Sequence, residues 1–450
     1  MKKNLLLLLL VAALLLTACG AFAESAEPAI TEPTAPAPID IGGTLIEVDA
    51  TELNLADNPY DLDRLAIVAR KLAAVSQVDL GMTELNHEEV ARIRAAFPKA
   101  QVNFTLDIQG QIVGPDVEKL DFSAMAPEQA TKNLDQLPML TKLQEINFVS
   151  EEGVCAIGLE DIFVLDSLRA VLPEVKFTVN FDLFGQKVTS EDERIEYYRV
   201  PIGNDGVEVI RAVLPYLSAC NYLLMDGCDV DNEVMAQLRE DFSTPKVVWR
   251  VWLDKPHYES ELWLRRQSFL TDTEVIWTIE ISDATSDVLK YCTETKYVDF
   301  GHDHMITKCD FLAYMPNLEV AILALTRLDD VTPLASCPKL EYLEIFTSNV
   351  SDISPLVNCK ELKHLNISKL PKLTDLTPLY EMTSLERLRI VMYNYVPVDQ
   401  LEEFARRVPT CEVQTAGWDE CDGGWRYGPD GQVPRYKLLR EQIGYGNGRY

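Results

Sequence analysis

Histidine is scarce in this chain of 450 residues, with one each at positions 87, 257, 302, 304 and 364. The ten cysteines include no Cys-x-x-Cys pair, the spacing from which structural zinc sites are commonly built. His302-Asp303-His304, with Cys309 nearby, offers donors that zinc accepts, but in a spacing that fits no standard site. Asp226, Asp229, Asp231 and Glu233 crowd one turn without the glycine that a calcium loop needs at its sixth position. Helix capping and a solvated acidic face explain them better. A Gly-x-Ser-x-Gly elbow, a glycine-rich phosphate loop and His-Glu-x-x-His are all missing. Carboxylates are so common that no pair stands out for acid–base work. No metal, cofactor or catalytic residue is therefore assigned, and the chain is not read as an enzyme.

Positive charge is also short, at 41 Lys and Arg against 71 Asp and Glu, a formal charge of −30. Such a surface repels nucleic acid and anionic lipid. Long apolar runs are absent except at the start, where Leu5 to Leu16 follows the basic Lys2-Lys3-Asn4. Twelve residues are too few to span a bilayer core of about 30 Å. A cleaved leader is the better reading. Leu16-Thr17-Ala18-Cys19 resembles the lipobox of bacterial lipoproteins. That resemblance implies cleavage before Cys19, lipidation of its thiol, and a protein anchored to the extracytoplasmic face of a bacterial cell membrane. Residues 1–18 are then the signal peptide, and residues 19–42 the lipid anchor and a disordered Ala/Glu/Pro/Thr linker. Losing Lys2 and Lys3 leaves 39 basic against 71 acidic side chains, a formal charge of −32.

What is present is repetition. Leu318, Leu340, Leu362 and Leu385 recur at 22- and 23-residue intervals, each followed by an apolar pair: Ala321/Leu323, Leu343/Ile345, Leu365/Ile367, Leu388/Ile390. Three copies run into one phrase: Asp330-Val331-Thr332-Pro333-Leu334, Asp352-Ile353-Ser354-Pro355-Leu356 and Asp375-Leu376-Thr377-Pro378-Leu379. A period in the low twenties marks a solenoid whose coils bury their apolar sides against one another. The pattern resembles the leucine-rich repeat family, and the Asp-Ile-Ser-Pro-Leu phrase its internalin-like subclass. The family's Asn ladder is missing: Thr326, Ser348, the Leu370-Pro371 region and Tyr393 hold the matching places, which argues for looser turns. Cys337 and Cys359 share the repeat position of Met315 and Met382 and read as buried small hydrophobes. Cys411 and Cys421 are left as either free or bridged across a terminal loop.

A longer repeat precedes these coils. Phe97-Pro98-Lys99-Ala100-Gln101-Val102 returns as Leu172-Pro173-Glu174-Val175-Lys176-Phe177 and, more loosely, at Pro245 and Pro409. Each copy follows a helical pattern (Glu88 to Phe97, Ile162 to Leu172, Glu233 to Phe242, Gln400 to Val408), with Asn86 and Asp231 placed as N-caps. A short strand precedes the first three of these helices. The fold class is accordingly α/β: a leucine-rich repeat solenoid with irregular strand–helix repeats over 43–295 and regular 22-residue repeats over 296–416. The aromatic stretch 417–450, with Trp418, Trp425, Tyr427, Tyr436 and Tyr445, is expected to cap the apolar end of the last coil. Arg435 to Gln442 within it suits a helix.

Strand side chains alternate faces, so residues flanking the inward pairs point out in three columns. Val320, Tyr342, His364 and Arg387 form one, Ile322, Glu344, Asn366 and Arg389 the next, and Ala324, Phe346, Ser368 and Val391 the third. Aromatics and arginine are enriched in binding hot spots. Val320, Ile322, Tyr342, Glu344, Phe346, His364, Asn366, Arg387 and Arg389 are therefore the candidate ligand-binding residues of an exposed concave face. The resemblance implies a protein or cell-surface glycan as ligand. An envelope hydrolase with its site in the irregular half, and a non-catalytic spacer, stay open beside it. Cys19→Ser should move the protein from membranes to the soluble fraction, as fractionation without detergent would show. A variant that still partitions with membranes would sink the lipid anchor.

Overall fold

The computed structural model describes residues 37–392, 395–417, 420–421 and 425–426. Cys19 with the leader and most of the linker, Tyr393, Trp418, Tyr427, Tyr436, Tyr445 and the Arg435 to Gln442 segment lie outside the described residues. None of the described helices is long and apolar enough to cross a membrane. The chain divides into two compact units: one runs to Asp107 and takes in Gln111–Pro115, the other holds Ile108–Gly110 and continues from Asp116.

The first unit opens with a hairpin, β1 (Ile39–Asp40) against β2 (Leu45–Ile46). Gly42 and Gly43 turn it with φ of 112° and 122°, which a side chain would rarely allow, and both donate their N–H groups to Asp40 Oδ1. Then come β3 (Glu52–Asn54), α1 (Leu62–Val68), β4 (Gln77–Met82), α2 (His87–Ala96), β5 (Gln101–Ile108) and β6 (Gln111–Val113), with sheet order β3-β4-β5-β6. Asn86 caps α2 as expected: its side chain accepts from Glu89 N at 3.0 Å while Glu89 accepts from Asn86 N at 2.9 Å. Val90 and Ile93, three apart, face inward and are buried.

The second unit repeats this strand–helix–strand–helix–strand scheme twice. One round is β7 (Lys119–Asp121), α3 (Pro127–Ala130), β8 (Glu145–Asn147), α4 (Ile162–Val171), β9 (Lys176–Thr178) and the hairpin of β10 (Asn180–Leu183) with β11 (Gln186–Thr189). The next is β12 (Arg194–Tyr198), α5 (Gly203–Val213), β13 (Tyr222–Asp226), α6 (Asn232–Asp241), β14 (Lys246–Trp252), α7 (Glu261–Arg266) and β15 (Ser268–Leu270). Asp231 precedes α6 but makes no cap bond. Its carboxylate instead accepts from Asn204 Nδ2 at 2.7 Å. Two more of the acidic crowd are dispersed likewise, Asp226 onto Arg250 and Glu233 onto Tyr291.

Seven parallel strands then stack in chain order: β16 (Val275–Trp277), β17 (Tyr297–Asp299), β18 (Val320–Ile322), β19 (Tyr342–Glu344), β20 (His364–Asn366), β21 (Arg387–Arg389) and, after α8 (Val398–Arg407), β22 (Glu412–Gln414). The register is one-to-one throughout, Tyr297↔Val320↔Tyr342↔His364↔Arg387. The fold is a leucine-rich repeat solenoid. Its sheet starts at Val275, one coil before the boundary expected at 296; the first two coils turn without the proline that marks the next three.

The recurring phrase is a turn signal with a role for each residue. Asp330, Asp352 and Asp375 accept from the N–H two residues on, at 2.7, 2.8 and 2.9 Å. Proline enters the first turn of the short 3₁₀ helix, where a missing N–H costs nothing. Leu334, Leu356 and Leu379 close the core. Cys337 and Cys359 are buried and free, and donate to the carbonyls of Leu312 and Leu334 at 3.3 and 3.2 Å. Cys411 and Cys421 are not bridged to one another.

After each of the first six strands one residue turns left-handed: Glu280, His302, Leu325, Thr347, Lys369 and Met392, with φ of 53–72°. Four of these donate their N–H to the next coil, as Leu325 N does to Phe346 O at 2.9 Å. The adjacent hydroxyl replaces the absent asparagine. Thr326 Oγ1 donates to Leu323 O at 2.8 Å and accepts from Leu328 N at 3.3 Å, and Ser348 Oγ donates to Ile345 O at 2.8 Å. The turns at Thr326 and Ser348 are tied rather than looser. Thr326→Val keeps the shape and removes the hydroxyl, leaving a buried carbonyl unpaired, so denaturant melts should show a loss of about 1–3 kcal/mol. Thr326→Ser should cost far less.

Candidate functional site

The three outward columns are where alternation placed them, but they are not exposed. Val320, Ile322, Tyr342, Glu344, Phe346, His364, Asn366 and Arg389 are all buried, and Arg387 is half-buried. The expectation of an open face fails because the chain returns over it after β22. Trp425, with no exposed surface, packs among Tyr297, Val320, Ile322 and Tyr342. The apolar columns thus find a partner within the molecule, as exposed apolar area in water demands. The aromatic tail was expected on the end of the last coil; Trp425, the one of its named aromatics among the described residues, sits on β17–β19, near the middle of the sheet.

Polar groups order this contact. Glu344 is wholly buried on β19 and would carry a large penalty as a lone charge. Four bonds meet it. Tyr342 Oη donates to Oε1 at 2.5 Å and Trp425 Nε1 at 2.8 Å, while Arg426 donates Nε to Oε1 at 3.2 Å and Nη2 to Oε2 at 2.7 Å. Arg387 stands over the Trp425 ring, 4.6 Å from its centre, and its Nη2 donates to the Trp425 carbonyl at 2.7 Å. The Glu420 carbonyl accepts from Asn366 Nδ2 at 2.8 Å and Arg389 Nε at 3.1 Å. Lys369 pairs with the Glu420 carboxylate at 2.7 Å. Arg389 also donates to Gln414 Oε1 at 2.9 Å.

The face therefore holds a stretch of polypeptide by its side chains and by its backbone. Sequence reasoning found the sheet side of this contact but missed Lys369, Gln414, Glu420, Trp425 and Arg426 as its complement. The available signal was Glu344 itself, an acid set among apolar neighbours that needs donors from elsewhere.

Two titratable groups flank the strip. Asp303 lies in the turn after β17; burial, with Asp299 and Glu280 nearby, pushes its carboxyl up to about 7. One oxygen accepts from Glu280 N at 2.5 Å and the other, Oδ2, is buried without a hydrogen-bond partner. His364, 6.0 Å from the Tyr342 ring, is held down to about 4 by burial and by Arg387 and Lys363. Burial, Arg426 and His304 also lower His302. Among the described residues no three His, Cys, Asp or Glu side chains gather as a metal group.

Neither a protein-family model nor a curated protein matches this chain. Solved structures similar to it include internalin C2 of Listeria monocytogenes (22% identity, 32% of this chain and 61% of that one, TM-score 0.29). A second internalin of that organism (14% identity, 77% and 82%, TM-score 0.29) is also similar. So is a leucine-rich repeat protein of Leptospira interrogans (14% identity, 76% and 91%, TM-score 0.28). The chain thus spans about three fifths of the first of these. Likenesses at this level leave the fold to rest on the chain's own strand registers.

Asp303 and His364 give opposite pH dependences. Folded Asp303 keeps its proton to about 7, whereas the unfolded carboxyl releases it near 4, so its stabilising effect fades as pH rises between the two. Folded His364 stays neutral to about 4, whereas unfolded imidazole takes a proton near 6.5, so stability is lost as pH falls through that range. Asp303→Asn should tilt the pH 4–7 stability profile upward with pH by about 1 kcal/mol per unit relative to the parent, and His364→Gln should tilt it downward. Parallel profiles in urea melts would refute both.

Proposed function

We propose that this chain is a lipid-anchored binding protein on the extracytoplasmic face of a bacterial membrane, and that the outer face of its seven-stranded sheet takes a segment of another protein. One observation carries this reading: the face already grips a polypeptide. Asn366, Arg387 and Arg389 donate to backbone carbonyls, and Glu344 accepts from an indole and a guanidinium. Carbonyl-directed donors suit a peptide better than a glycan, which offers hydroxyls. The anchor at Cys19 would keep this face near the membrane, with the acidic body repelled by anionic headgroups.

The test uses the full chain with Trp425→Ala, which vacates the strip, as bait against detergent-solubilised envelope proteins of its host. Adding Tyr342→Ala or Arg389→Ala should weaken a captured partner by about 1–3 kcal/mol while the chain stays folded. Unchanged affinity in both would move the site off this face.

A further inference from the structure

Resting on that reading of the face, we infer its specificity: it recognises an aromatic residue followed by an arginine, and the chain's own Trp425-Arg426 occupies the place of that pair in a partner protein. Both side chains are read in full. The indole is enclosed by Tyr297, Val320, Ile322 and Tyr342, capped by the Arg387 guanidinium, and its N–H is taken by Glu344. The guanidinium reaches both oxygens of the same carboxylate through Nε and Nη2, a fork that lysine lacks. Glu344 thus serves both members of the pair, which ties their order and spacing together.

The occupant is exchangeable by construction. Among its described residues it adds no strand to the sheet, and side chains of the sheet hold it at the Glu420 and Trp425 carbonyls. A buried ion pair stabilises little more than an apolar contact of the same shape, whereas it discriminates strongly against a partner lacking the right charge. A mere cover would need only the tryptophan. The acidic chain also draws a cationic segment toward it. The tail is then a competitor in cis, and a partner must displace it.

The probe is a fluorescent peptide of the chain's own sequence from Glu420 to Gly428, carrying Cys421→Ser. It should bind the full-length Trp425→Ala/Arg426→Ala chain saturably, and the unaltered chain at least tenfold more weakly. Glu344→Gln in the opened chain should cost at least tenfold, as should Trp→Ala or Arg→Lys in the peptide. If the double variant does not fold, Arg426→Ala alone serves, with the same expectations. A peptide indifferent to its own Trp and Arg, or with no affinity for a folded opened chain, overturns the inference. If the opened chain meanwhile captures a protein through Tyr342 and Arg389, the binding face stands and only its aromatic–arginine specificity falls. If neither peptide nor protein binds, both readings fall.

Discussion

A carboxylate shut away from water on the middle strand of a parallel sheet is the constraint around which this face is arranged. A lone charge on Glu344 would be costly there, so donors must reach it, and among the described residues the sheet supplies the Tyr342 hydroxyl. The remaining donors come from some eighty residues further along the chain. Everything else about the strip follows from that debt of hydrogen bonds. The tryptophan must lie flat enough to present its N–H, Arg387 then covers the ring, and the carbonyls of the returning chain fall to Asn366 and Arg389.

The solenoid underneath makes such a face possible. Register is one-to-one across seven strands, so each outward residue stands about 4.8 Å from its counterpart. Columns of unlike residues become a continuous surface: apolar at β18, aromatic and acidic at β19, amide and imidazole at β20, cationic at β21. That gradient gives the bound segment a direction. Three of the turns are closed locally by an aspartate at their start, and a left-handed residue follows six of the strands, with a hydroxyl beside it at Thr326 and Ser348.

Much of this was legible in the residues and some was not, for definite reasons. The leucine period, the helices ahead of the Pro turns and the burial of Cys337 and Cys359 depend on neighbours a few positions away, and local pattern records them. The coil at Val275 escaped notice because it lacks the Pro phrase that marks the others. Thr326 and Ser348 were read as the loss of a ladder, although a hydroxyl can bond the same turn carbonyl. The cover over the sheet had no periodic trace at all. Glu420 and Trp425 reach it across a sequence gap of more than fifty residues to Asn366, and only the odd acid at Glu344 hinted at them.

The buried thiols carry a consequence of their own. Cys292, Cys337 and Cys359 each sit at the end of a different coil's 3₁₀ turn, Cys309 at the start of another and Cys411 just before the last strand, the first four out of reach of solvent and Cys411 nearly so. Burial pushes Cys337 and Cys359 up to about 12, so both are inert while their coils are shut. An alkylating reagent can then modify each only during the moments when that coil opens. The molecule thus carries a clock in several successive turns, from which the order of fraying along the solenoid can be read one sulfur at a time.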